Sequence, residues 1–399
     1  MPTPNNRQTR VPPTSAGNLL WLIRSGQART RAEVQTITGL SRSTVAARLD
    51  ALIGAGYLRG STRDSSTGGR PAAVLEFDAS VKVVLAADLG ATHARLAVMD
   101  VSGDVLTTCS AALRIADGPT PVLDWVTSQF QAMLAGIGRE PADVCGIGVG
   151  VPGPVEFDVG RVRKPPIMPG WDDYPITEHL QHLSPDGPVL VDNDANLMAL
   201  GEQAVCFPDC PAFVLVKVAT GIGAGVVTNG AVYRGIEGGA GDIGHIRLHG
   251  YDDLQCMCGA YGCLAAVASG GALAHRLKDA GVAAGSSRDM VRLIAAGDPD
   301  ACRLAREAGQ QVGEVLATVV CLLNPGVLVI AGDLAETHFV TGVREVLYQR
   351  ALPRATQHLQ VAIGQLGERA AILGAHAMVV EDVFSPAAVD ARLETAVRR

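Results

Sequence analysis

The chain has 399 residues, 48% of them hydrophobic, with 46 glycines and a formal net charge of −7. That size and apolar content can fill two or three domain cores, whereas no apolar run approaches the roughly 20 residues that span a bilayer, so no membrane partner is expected. The opening MPTPNNRQTRVPP lacks an apolar h-region, which argues against a secretory signal and for the cytoplasm.

Charge is unevenly placed. Residues 1–80 hold ten Arg and no Lys against Glu33, Asp50, Asp64, Glu76 and Asp78, a net of +5, which leaves −12 for the remainder. A basic head on an acidic body points to a polyanion partner for the head alone.

Residues 1–14 read as a flexible, proline-rich tail, and residues 15–80 as a winged helix-turn-helix. Helices are expected over 18–25, 31–38 and 42–55. Thr30 and Ser41 are suitable N-caps, and Glu33 completes a capping box with Thr30. Gly39 and Leu40 make the turn between the second and third helices. On the third helix Val45, Leu49 and Leu52 share one face. That leaves Ser43 and Ala47 opposite, with Arg42, Thr44 and Arg48 at the flanks, a small polar face suited to a major groove. The stretch RGSTRDSSTGGR, residues 59–70, reads as a basic wing between two strands, with Arg70 placed for a minor groove. Helix triplets also serve plain packing roles; wing, charge contrast and recognition face together favour operator DNA.

From Val81 the texture changes. VKVVLAADLGATHARLAVMD reads as strand, turn and strand, the turn carrying Asp88, Gly90 and Thr92. Such turns let backbone N–H groups meet phosphate oxygens, although this spacing alone is also a common hairpin. A second turn, TGIGAG, carries Thr220, Gly221 and Gly223 and gives the first more weight: two lobes facing across a nucleotide or sugar cleft. The lobes are expected over 81–195 and 196–369, with a C-terminal helix, 370–399, packing on the first. Between the turns, Asp192, Asn193, Asp194 and Asn196 follow a buried strand. An acid there can accept a proton from a sugar hydroxyl that Asn193 orients; the same residues also suit an Asx turn capping a helix.

The segment 238–266 contains His245, Cys256, Cys258 and Cys263. Three thiolates and an imidazole form a closed tetrahedral zinc site, and Gly259 and Gly262 permit the tight turns it needs. A disulfide is the competing reading. Cys109, Cys145, Cys206, Cys210, Cys302 and Cys321 read as ordinary buried thiols. Asp242, three residues before His245, adds a carboxylate where backbone can approach a ligand closely. Thiolate ligands without a disulfide framework agree with a reducing cytoplasm.

Together these residues resemble the ROK family of repressors, open reading frames and sugar kinases, over nearly the whole chain from about Ser15. The zinc signature is the most specific match. The winged head resembles the family's transcriptional regulators, because its plain kinases begin at the equivalent of Val81. The resemblance implies an α/β fold of two actin-like, ribonuclease-H-type lobes behind the head, with a sugar in the cleft. It implies Asp194 as catalytic base, Asn193 and Asp242 as sugar ligands, and His245 as a residue that binds zinc and touches sugar. Asp88, Gly90 and Thr92 match the first phosphate turn and Thr220, Gly221 and Gly223 the second; ATP and magnesium would belong only to an active kinase. Departures stand beside these matches. Asp242 and Ala265 replace family glutamates, Ala91 and His93 replace a glycine and a lysine, and Ala331 and Asp333 occupy glycine positions near the nucleotide base. The reading that results is a sugar-responsive transcriptional repressor, a homodimer or homotetramer, with operator DNA and a small sugar or sugar phosphate as partners. An ATP-dependent sugar kinase that keeps Asp194 is the alternative, and a scaffold with a vestigial cleft is the third.

Overall fold

A computed structural model describes residues 14–61, 74–78 and 82–398. The expected tail up to residue 13 and most of the expected wing loop, Arg70 included, lie outside them.

The head comprises α1 (Ala16–Arg24), α2 (Arg31–Thr38), α3 (Arg42–Gly54) and the antiparallel pair β1 (Leu58–Ser61) and β2 (Val74–Phe77). Helix starts follow local chemistry. Thr30 and Glu33 form a capping box at α2, and Ser41 Oγ accepts from the Thr44 N–H at 3.2 Å at α3. Gly39 closes α2 at φ 67°, a left-handed conformation that a side chain would strain. Val45, Leu49 and Leu52 are buried on one face of α3.

Two five-stranded sheets make the body. The first uses β3 (Val83–Leu89), β4 (Ala94–Asp100), β5 (Val105–Ala111), β6 (Val144–Val151) and β9 (Val189–Asn193), with α4 (Pro119–Gly136), the small hairpin β7 (Val155–Glu156) and β8 (Arg161–Val162), and α5 (Ile176–Leu180) between them. Helix α6 (Asp194–Cys206) leads to the second, built from β10 (Ala212–Val218), β11 (Ile222–Thr228) and β12 (Ala231–Val232), then α7 (Leu264–Ala268), α8 (Gly270–Asp279), α9 (Ser287–Ala295), α10 (Pro299–Leu323), β13 (Val327–Ala331), α11 (Thr337–Arg350), α12 (Pro353–Thr356) and β14 (Gln360–Ile363). The strand orders, β5-β4-β3-β6-β9 and β12-β11-β10-β13-β14, are the same path drawn twice: an antiparallel meander followed by two parallel additions. β3 and β13 are buried along their whole length, as strands covered on both faces must be. The repeat is one of topology, which explains why no internal sequence repeat announces it.

The second glycine turn is shorter than its sequence suggests. β11 begins at Ile222, so Gly223 and Gly225 lie in the strand. A Cβ on Gly225 would collide with Ala195 O and Ala199 Cβ of α6, whereas one on Gly223 would make only ordinary contact with Ala195; Gly225 is there to admit the helix.

Two helices join the sheets. α6 lies on β10 and β11, and α13 (Ala370–Val383) lies on β3 and β6 and along α6. Gly201 faces the Ala370 carbonyl and Gly374 the Leu197 carbonyl, each too close for a Cβ. The C-terminal segment is two helices rather than one. Ser385 and Pro386 start α14 (Pro386–Arg398), because proline suits a first helical turn and breaks a preceding one. The chain bends by 48° there, and α14 leaves the first lobe to pack on α1. The Gly17 N–H donates to Asp390 Oδ1 at 2.8 Å, Phe384 meets Tyr57 and Phe77 edge-on, and Leu19, Leu20, Leu49 and Leu52 share one core with Val379, Val383 and Phe384. Among the described residues no single helix is long and apolar enough to cross a membrane.

Gly374→Ala forces a methyl group against the Leu197 carbonyl and should cost about 1–3 kcal/mol, read as a lower urea midpoint; an unchanged midpoint would show that the crossing has slack.

Candidate functional site

β9 delivers Asp192 and Asn193 to the end of the first sheet, and α6 starts at Asp194. Asn193 caps that helix: its Oδ1 accepts from the Ala195 N–H at 2.9 Å while its Nδ2 donates to Gly153 O at 3.0 Å. Asp192 is an anchor. Its Oδ1 accepts from the Asn193 N–H at 2.7 Å and Asn196 Nδ2 at 2.9 Å. Its Oδ2 pairs with Arg234 Nη2 at 2.7 Å, and that guanidinium lies 3.6 Å over the Phe157 ring.

Asp194 is buried and meets Lys217 Nζ of β10 at 2.5 Å through its Oδ2. Burial pushes the Asp194 carboxyl above the usual carboxylate range, and Lys217 opposes that push. For Lys217 burial works against the ammonium, but Asp194, Asp88 and Asp333 outweigh it and hold the lysine charged beyond its ordinary value. Asp88, at the end of β3, is buried, and its Oδ2 faces His93 Nε2 at 3.4 Å and Arg95 Nη1 at 3.3 Å. Burial raises its pKa, but the hydrogen bond from His93 and the charges of Lys217, His93 and Arg95 carry the net shift downward. The His93 imidazole lies against Gly90, where a Cβ would collide with the ring.

Asp88, Asp194 and Lys217 therefore converge from the two sheets, with Gly90 beneath His93. Thr92 stays exposed at the first turn, and Thr220 and Gly221 are exposed at the second. Gly223 sits beside Ala195. The Asp242 loop rests on the same strand, since the Ala224 N–H donates to Gly241 O at 2.9 Å and Gly241, at φ 100°, has no room for a Cβ. Asp242 and His245 are exposed, joined through the turn Ile243–His245. Lys217, Arg234 and Arg95 escaped the reading of the sequence as site residues, and His93 entered it only as the replacement of a family lysine at the first turn. Only Lys217 carries a local signal, a cation within the apolar run AFVLVKV.

The ligand atoms of His245, Cys256, Cys258 and Cys263 all lie within 4.8 Å of one another. Cys256 Sγ and His245 Nδ1 are 3.8 Å apart, as are Cys258 Sγ and Cys263 Sγ. A tetrahedral ion with metal–sulfur bonds of about 2.3 Å sets ligand edges of about 3.8 Å, so these four residues fit a metal, and the cysteines are unpaired as disulfides. Gly259 at φ 88° and Gly262 at φ 73° make the turns. Magnesium with ATP fits poorly: it needs free carboxylates and open glycine turns, whereas Lys217 is paired with Asp194 and the His93 ring covers Gly90 of the first turn.

In the head, Arg42 and Ser43 are exposed and Thr44 and Arg48 half-buried on the first half of α3. Ser41 Oγ lies 2.9 Å from Ser43 Oγ and 2.8 Å from Thr44 Oγ1. Arg48 Nη1 is buried with no hydrogen-bond partner among the described residues.

The ROK family model matches residues 84–382. The chain belongs to the ROK family. A xylose repressor of Caldicellulosiruptor bescii is 29% identical over 372 residues, covering 89% of this chain and 92% of that protein. Among ROK structures, a transcriptional regulator described as a homolog of the E. coli MLC protein superposes with a TM-score of 0.80 at 24% identity, over 95% of this chain and 98% of its own, so the shared fold includes the head. A ROK glucokinase from Streptomyces griseus, solved with glucose and AMPPNP, is 26% identical with a TM-score of 0.63; 99% of it is covered by 74% of this chain.

Arg234→Ala strands the buried Asp192 carboxylate and should cost about 3–5 kcal/mol, measured by urea unfolding; a loss below about 1 kcal/mol would show that water replaces the guanidinium.

Proposed function

We propose that this ROK protein is a sugar-responsive, DNA-binding transcriptional regulator acting as a repressor. One observation carries the reading: α13 lies against α6, which begins at Asp194, and runs on into α14, which belongs to the core of the winged head. The sugar enters beside Asn193, Asp194, Asp242 and His245. Its hydroxyls compete for hydrogen bonds now made within the protein, so binding favours a different closure of the two sheets. The glycine-notched contact of α6 with α13 leaves little slack, and the heads move with α13. In an even-numbered assembly, a homodimer or homotetramer, that motion changes the spacing of two recognition helices against paired half-sites. Arg42, Ser43, Thr44 and Arg48 of α3 meet the operator, with Arg70 of the wing. The likeness to a xylose repressor makes a pentose the first sugar to test.

Zinc is the metal that three thiolates and an imidazole select. Bound by His245, Cys256, Cys258 and Cys263 it has no open position, so it supplies rigidity and fixes the loop that presents Asp242. Thiolate ligands also suit a reducing compartment, which supports the cytoplasm as the place of work.

Fluorescence anisotropy should detect a preferred sequence in the protein's own genomic DNA, weakened by a selective sugar. Arg48→Ala should lose about 1–3 kcal/mol of that affinity, and the absence of any preferred sequence, at any salt and with or without sugars, would overturn the reading. Elemental analysis should find one zinc per chain, absent from Cys258→Ser/Cys263→Ser, whose melting temperature falls; a double variant that keeps its zinc would remove these ligands from the assignment.

A further inference from the structure

The polar centre of the cleft is already occupied by the protein's own charges. Lys217 Nζ lies 2.5 Å from Asp194 Oδ2, with 21% of the lysine side chain and 5% of the aspartate exposed. Asp88 and Asp333 act on the same ammonium. Asp88 is further bound by His93 and Arg95, and Arg95 in turn pairs with Glu368. Asp333 accepts from Ser287 Oγ at 2.5 Å. The His93 ring fills the face of Gly90 that a phosphate would need.

We infer that Lys217, bonded to Asp194, is a built-in cation in place of a nucleotide-bound divalent ion, so that the cleft receives an uncharged, unphosphorylated sugar alone. Three lines of chemistry lead there. Magnesium is held by one or two carboxylates together with substrate phosphates; here one carboxylate is paired to an ammonium, the other to His93 and Arg95, and a second cation beside Lys217 is repelled. Asp194 Oδ2 is taken up by Lys217 Nζ, so that oxygen is not free to accept a hydroxyl proton, and Asp194 can hold a sugar hydroxyl without activating it. Finally, Lys217 is already paired with Asp194, and Arg95 with Asp88 and Glu368, which disfavours the dianion of a sugar phosphate.

The ligand class rests on the sensor reading given above; the exclusion of magnesium and nucleotide does not, and the test separates the two. Zinc-loaded, full-length protein is titrated with Mn2+, followed by electron paramagnetic resonance, and with Mg-ATP, followed by calorimetry. Wild type should bind neither, and Lys217→Met should gain one Mn2+ per chain, lost again in Lys217→Met/Asp88→Asn. Lys217→Arg, which keeps the charge, should exclude the ion as wild type does and decides the matter if the Met variant fails to fold. Binding of Mg-ATP to wild type, sugar-dependent ADP release abolished by Asp194→Asn, a folded Lys217→Met that gains no Mn2+, or Mn2+ binding by Lys217→Arg would each overturn the inference. Thermal shifts with xylose, glucose and their phosphates run in parallel. A shift by neutral sugars alone supports the ligand class, and a shift by the phosphates overturns it. If no sugar shifts the protein while Lys217→Met gains Mn2+, the built-in cation stands and the sensor reading falls.

Discussion

The crossing of α6 and α13 is the constraint on which the other features depend. Gly201 and Gly374 let two backbones approach until no Cβ fits between them, and interiors packed that closely transmit displacement instead of absorbing it. One helix of the pair begins at the candidate sugar site; the other shares the first sheet and continues into the core of the head. A body built from two sheets of identical strand order would otherwise be a symmetric clamp with a separate module attached. The Ser385-Pro386 break makes it asymmetric, because it directs α14 onto α1 and merges the C-terminus with the DNA-binding unit.

Electrostatics divides the labour within the same frame. Asp192 is consumed by structure, held by Arg234, Asn196 and its neighbouring backbone, and it fixes the end of β9 so that Asn193 and Asp194 emerge at the start of α6. Asp194 is left with a lysine. In a low-dielectric cleft, charges that satisfy one another leave little field to organise a polyphosphate, which is what distinguishes a site that recognises a sugar from one that phosphorylates it. The cluster of His245, Cys256, Cys258 and Cys263, which fits a metal, follows the loop that reaches β11 through Gly241.

What could be read from the sequence was local. His245, Cys256, Cys258 and Cys263 lie close together in the chain, so their grouping shows in their spacing. The caps at Thr30 and Ser41 and the buried face of α3 are set within a few residues. Partners distant in the chain were hidden. Lys217 reads as one cation in an apolar strand, and nothing nearby says that Asp194 awaits it; Arg234 and Asp192 are likewise strangers in sequence. Gly225 looks like a turn residue because the helix that requires its bare face is elsewhere. Pro386 signals a break, but that α14 packs on a helix at the opposite end of the chain follows only from the fold. The Asn193 stretch offered a sugar ligand or a helix cap. The cap is made in this structure, and a sugar would have to share or replace its bonds.

Coupling between cleft and head is reciprocal by necessity, because a sugar that weakens operator binding by some factor must itself bind more weakly, by the same factor, to protein held on operator. The decisive measurement is therefore sugar affinity by calorimetry, first on free protein and then on protein saturated with operator DNA. The structure predicts a lower affinity on DNA that matches the loss of operator affinity measured with sugar present. Equal sugar affinities in the two states would contradict any transmission through α6, α13 and α14.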